Sequence, residues 1–156
     1  MQNTLNRNTA KLNNLYILAE KNNIPIDEDC PAEIVSMSLK LKDGTKIIGI
    51  SDVENSEYTK LELVAHEMGH CITDSFYVGY SPFELRAKHE RRADRWAVNR
   101  LVPFRSLCKA VEDGHRELWE LAEYFDVSCQ FIEKAIKMYE QKGNVVPPAF
   151  YQKYEG

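Results

Sequence analysis

An α+β fold is predicted for this chain: a helical domain carrying a small antiparallel β-sheet or hairpin, then a C-terminal helical pair with the outline of a helix-turn-helix. Three observations predict it. Apolar residues recur at helical spacing over most of the chain. The period drops to two between Ile34 and Ser51. Finally, Leu118–Ile132 shows one short helix, a Val-Ser turn and the start of a second amphipathic helix. With 156 residues, 44% of them hydrophobic, the chain is long enough to bury a core. The expected organisation is a main domain over residues 1–112, the helix-turn-helix-like module packed on it at 113–142, and an irregular arm at 143–156.

Taken in order, the N-terminal residues form an amphipathic helix to about Asn22, with Leu12, Leu15, Tyr16, Leu18 and Ala19 on its apolar side. Asn22-Asn23 end it, and Ile24-Pro25-Ile26 begins an extended connection. Val35, Met37, Leu39 and Leu41 then alternate with Ser36, Ser38, Lys40 and Lys42, followed by Asp43-Gly44 and Thr45–Ile50. That pattern predicts a β-hairpin with a tight turn. Two helices follow at about 57–74 and 83–102, joined by Asp74–Pro82, with Pro103 stopping the second or starting another. The tail Asn144–Gly156 carries Pro147-Pro148 and three aromatic residues and reads as irregular.

The first of those two helices contains His66-Glu67-Met68-Gly69-His70, an HExxH motif. At 3.6 residues per turn the two histidines lie on one face and can reach one cation, while Glu67 points about 100° around the helix. Leu61, Val64, Met68 and Ile72 supply a buried stripe that would hold them. A catalytic zinc site needs a third protein ligand and an open position. The continuation HExxHxxGxxH fails, because Thr73 replaces the glycine and Phe76 the histidine. Glu90 is the better candidate, on a second helix where Asp94 shares its face. Asp94 would accept the second ring N–H of a ligand histidine and fix its tautomer. Ala93 and Ala97 are small enough for that helix to approach the first. His89 is the rival ligand, but its side chain points about 100° away from the Asp94 face.

His66–His70, Glu90-Arg91-Arg92-Ala93-Asp94-Arg95-Trp96-Ala97 and Leu101-Val102-Pro103 together resemble the ImmA/IrrE family of zinc metallopeptidases. That family's pattern is HExGH, then ExxA(N/D)x(F/W)A, then a short apolar stretch ending in proline. The resemblance covers roughly residues 10–140 and is specific in the two metal-binding helices. It implies a zincin-like (gluzincin-like) fold and an intracellular protease of bacteria or their mobile elements and prophages. Such proteases act on, or pair with, a helix-turn-helix repressor whose inactivation relieves repression. By matching position it implies one Zn²⁺ held by His66, His70 and Glu90, Glu67 as general base, and Asp94 in support, where relatives often carry asparagine.

The expected chemistry is hydrolysis of a peptide bond. Zinc lowers the pKa of a water and polarises the scissile carbonyl, and Glu67 moves the proton. Tyr77, Tyr80, His89 and Arg95 are candidates for stabilising the oxyanion. Ile47–Ser51 is a candidate edge along which substrate adds as a strand; the hairpin could equally serve only as cover for the helices. The alternative to a protease is a non-proteolytic regulator that keeps the peptidase fold and binds a repressor or DNA. An intact HExxH favours the protease, since a binding module has no need of Glu67.

Charge argues against nucleic acid. The chain carries 20 basic and 24 acidic residues, a net −4. Residues 113–142 hold seven acids against four bases, with Glu133 and Glu140 on the second helix of the pair. That pair is expected to pack or to dock protein, with Trp119, Phe125 and Phe131 as apolar anchors, and direct DNA binding is not expected. No apolar run approaches the ~18 residues of a membrane span, and Met1–Asn8 has no signal core, so a cytoplasmic location without membrane partners is expected. Cys30, Cys71, Cys108 and Cys129 are scattered without a CxxC pair and read as reduced, mostly buried residues.

Overall fold

The computed structural model describes residues 2–51 and 59–144, with side chains from residue 9 onward. The expected irregular arm therefore lies outside the described residues from 145 on. The chain divides into two compact units, Met1–Ala97 and Val98–Gly156, and the boundary expected at 112 falls within the second.

In the first unit, α1 (Gln2–Lys21) buries Leu15 and Ala19. It stops at Asn23, whose φ of 54° is left-handed. The Ile24 N–H then donates to the Ala19 carbonyl at 2.9 Å and the Asn23 N–H to Glu20 at 3.0 Å, a Schellman ending that Ile24 completes by burying itself.

The chain continues into β1 (Ile26–Asp27), β2 (Ser36–Lys40) and β3 (Lys46–Ile50). The hairpin is β2–β3, antiparallel, with Ser38 opposite Ile48. Its turn closes through Leu41 N–H to Thr45 O at 2.8 Å and Gly44 N–H to Leu41 O at 3.0 Å. Gly44 takes φ 89°, which a side chain would resist, so Asp43-Gly44 is the turn for a steric reason.

A third strand extends the expected hairpin into a small mixed sheet, because β1 joins β3 in parallel, Ile26 beside Ile48. The order β1-β3-β2 also makes β3 the central strand, so Ile47–Ser51 is not an edge. A two-residue strand has too little periodicity to read from sequence. Among the described residues, the free edge beside the hairpin is β2. Val35 accepts from Ser51 and Leu41 donates to Thr45. Antiparallel alternation therefore turns the backbone groups of Ser36, Ser38 and Lys40 outward to that edge.

After the sheet, α2 (Lys60–Thr73) begins at Thr59, whose side chain accepts from Glu62 N–H at 3.2 Å. It packs on α1, β2 and β3. Leu61, Val64, Ala65, Met68 and Cys71 form its buried stripe; Ile72, expected there, is 37% exposed in the last turn. α3 (Phe83–Leu101) buries Ala93 and Ala97.

The second unit holds the end of α3, then α4 (Phe104–Glu112), α5 (Leu118–Phe125) and α6 (Cys129–Gln141). Pro103 is the N-cap of α4, and so both follows one helix and starts the next. The α5–α6 turn is a helix-turn-helix connection. Asp126 adopts φ 58° where glycine is usual, Val127 is buried, and the Ser128 side chain caps α6 by accepting from Phe131 N–H at 3.1 Å. Phe125 and Phe131 are core residues of this unit, whereas Trp119 is 60% exposed. The Tyr139 hydroxyl, buried beside Phe104, donates to Val102 O at 2.8 Å. Of the cysteines only Cys71 is buried; Cys30 and Cys108 are half-buried and Cys129 is exposed, all four as free thiols.

Candidate metal centre

The site is built where α2 and α3 touch. Gly69 sits between the two histidines, and a Cβ there would meet the backbone of Ala93 on α3, 2.5 Å from its carbonyl oxygen. Glycine inside a helix costs about 1 kcal/mol against alanine. Its presence here reflects the closeness of the two backbones.

That approach brings His66, His70 and Glu90 together. His66 Nε2 lies 3.1 Å from one Glu90 oxygen, His70 Nε2 lies 3.2 Å from the other, and the two Nε2 atoms are 3.2 Å apart. Three donors arranged tetrahedrally at zinc-like bond lengths of ~2.0–2.1 Å stand about 3.3 Å from each other. The opposite ring nitrogens are both engaged. His66 Nδ1–H donates to Asp94 Oδ1 at 2.9 Å and His70 Nδ1–H to the Ser75 carbonyl at 2.6 Å. A carboxylate and a carbonyl only accept, so both Nδ1 atoms carry hydrogen, and on metal binding each Nε2 would give up its proton and turn its lone pair to a common point. The residues fit a metal ion.

The electrostatics agree. Burial opposes a charge on His66, yet hydrogen bonds to Asp94 and Glu90, with the charges of Asp94 and Glu67, push its pKa up to about 10. Hydrogen bonds from His66 and then His70 hold Glu90 well below the usual carboxylate range. A locus that favours positive charge this strongly suits a cation.

Glu67 is buried and opens onto the same cavity of about 370 Å³, lined also by Ser36, Ser38, Ser75, Phe76 and Tyr77. Ser36 Oγ donates to Glu67 Oε1 at 2.7 Å. The Tyr77 hydroxyl donates to Glu90 Oε1 at 2.7 Å, and that bond pushes its pKa up to about 12, so it remains a neutral donor. Of the other oxyanion candidates, none lines the cavity: Tyr80 is 91% exposed, Arg95 is exposed, and His89 stacks on Tyr77 at 6.4 Å between ring centroids. His89 is also absent from the donor cluster.

A peptidase family described as the IrrE N-terminal-like domain matches residues 26–137, well over half of the chain and all of the residues just described. The chain belongs to the IrrE-like family. No curated protein and no solved structure matches it. As an IrrE-like metallopeptidase it has an α+β fold with a donor cluster able to hold a metal. Among the described residues of this metallopeptidase, no helix is long and apolar enough to cross a membrane.

Three contributors escaped the sequence reading. Ser75 acts through its backbone carbonyl, which no side-chain pattern reports. Ser36 is 31 residues from Glu67 and indistinguishable in sequence from Ser38. Gly69 did carry a signal, an interior helix glycine, which marks close backbone approach.

Proposed function

We propose that this metallopeptidase is a zinc-dependent endopeptidase of the cytoplasm that cleaves a helix-turn-helix repressor of a mobile element or prophage and so relieves repression. The observation that carries the catalytic part is the spacing of His66, His70 and Glu90 at 3.1–3.2 Å, with Glu67 in the same cavity. The repressor as substrate rests on the resemblance of the two metal-binding helices to the ImmA/IrrE pattern.

His66, His70 and Glu90 are the ligands, and Asp94 fixes the His66 ring. Zinc held there supplies Lewis acidity towards the scissile carbonyl and lowers the pKa of a water towards neutrality. Glu67 accepts the proton of the attacking water and delivers it to the leaving amine. The Tyr77 hydroxyl, in the cavity wall, turns its one proton from Glu90 to the carbonyl oxygen as charge develops on it. Substrate lies along β2, whose outward backbone groups at Ser36, Ser38 and Lys40 hydrogen-bond an added strand while Ser36 and Ser38 face the cavity.

Incubating the zinc-loaded protein with the repressor encoded beside its own gene, and mapping fragments by mass spectrometry, tests this reading. A single cleavage that disappears with a chelator and returns with zinc is expected. An intact repressor at equimolar enzyme would remove it as the substrate. The retained Glu67 carboxylate, hydrogen-bonded in the cavity, weighs against the non-proteolytic alternative.

A further inference from the structure

We infer that Ser36 is a positioning residue for Glu67, so that the strand offered to substrate also sets the orientation of the catalytic carboxylate. The inference rests on the peptidase reading above. Among the described residues Ser36 is the hydrogen-bond partner of Glu67, at 2.7 Å from Oε1. Glu67 otherwise emerges from a helix face with three rotatable bonds, and a base that wanders between rotamers is a poor one. The hydroxyl suits both states of the carboxyl. It donates while Glu67 is ionised, and it can turn to accept once Glu67 carries the proton, without either heavy atom moving.

The placement on β2 gives the bond its meaning. In the antiparallel register Ser36 faces Ile50, and residues of this parity turn their backbone groups to the free edge and their side chains to the cavity. Substrate backbone that pairs with Ser36 therefore binds the same residue that holds Glu67. Ser38, two residues along, shares the face without that bond.

The test compares zinc-loaded wild type, Ser36→Ala, Ser36→Thr, Glu67→Gln and the Ser36→Ala/Glu67→Gln double variant on a quenched-fluorescence peptide library and on the neighbouring repressor. Ser36→Ala should lower kcat roughly 10-fold, less than the ~10²–10⁴-fold expected on removing the base itself. KM, zinc content and melting temperature should stay as in wild type, and Ser36→Thr should recover most of the rate. In the Glu67→Gln background Ser36→Ala should cost nothing further, because its effect passes through Glu67. An unchanged kcat, or the same loss in both backgrounds, overturns the inference. Crystal structures of the zinc-loaded wild type and Ser36→Ala read the same point without turnover. Glu67 should be single in the first and split between rotamers in the second, and an unmoved Glu67 overturns the assignment. A wild type that cleaves nothing counts instead against the peptidase reading.

Discussion

Gly69 and Ala93 meet backbone to backbone. A Cβ at position 69 would lie 2.5 Å from the Ala93 carbonyl oxygen and 2.9 Å from its Cα. Gly69 stands between His66 and His70, and Ala93 between Glu90 and Asp94. The contact therefore sets the distance between the two halves of the donor cluster.

Gly69→Ala opposes two effects. Helix propensity favours alanine by up to about 1 kcal/mol. Overpacking against backbone, which no rotamer change relieves, costs ~1–3 kcal/mol. The variant should be less stable in a urea titration and should bind zinc more weakly. A gain in stability equal to the helix-propensity term would show that the helices separate freely.

His66→Ala and His70→Ala should each reduce zinc from about one per chain to near zero. Asp94→Ala leaves all three donors and should keep the metal, with affinity weakened on the order of 10–100-fold. Elemental analysis reads the first pair and chelator competition the last. Full zinc occupancy in both histidine variants would remove the site assignment.

Glu67→Gln preserves volume and ligands, so fold and zinc content should survive. Cleavage should fall ~10²–10⁴-fold. Relief of repression in cells as strong as wild type would mean that regulation does not require proteolysis.

Tyr77→Phe removes the hydroxyl next to Glu90 and keeps the ring. If Tyr77 stabilises the oxyanion, kcat should drop about 10²–10³-fold with little change in KM. Equal losses in zinc binding would reassign Tyr77 to holding Glu90.

The α5–α6 pair should not bind duplex DNA at physiological salt, because seven acids outnumber four bases over residues 113–142. A salt titration against random and operator duplexes decides it. Micromolar binding that weakens steeply with salt would show a basic surface that composition conceals.

What the sequence made legible follows from local periodicity. The helices, the Asp43-Gly44 turn and the face shared by His66 and His70 depend on residues within a few positions of each other. So does the helix-turn-helix outline, where Asp126 takes the left-handed conformation that glycine usually supplies. Glu90 was reachable because it shares a helix face with Asp94. The unread parts depend on tertiary pairing. β1 is two residues long and exists only beside β3. The alternation in β2 marked a two-faced strand, but only packing shows that Ser36 and Ser38 turn to α2 while Leu39 and Leu41 are exposed. Of the three apolar anchors expected for packing or docking, Phe125 and Phe131 fill the core of their unit and Trp119 is left exposed, a division that the shared helical periodicity does not show.

Asp74, left-handed at φ 51°, ends α2, and the Ser75 N–H turns back to the His70 carbonyl at 2.9 Å. Lys40 and Lys46 from the hairpin hold the Asp74 carboxylate at 2.8 and 3.2 Å. The same reversal delivers the Ser75 carbonyl to His70 Nδ1. Helix length and imidazole tautomer are thus a single property of this chain. A descendant whose α2 ran one turn further would keep His66, Glu67, His70 and Glu90 letter for letter, lose the acceptor that orients His70, and pass every pattern search as a peptidase while holding its metal more weakly.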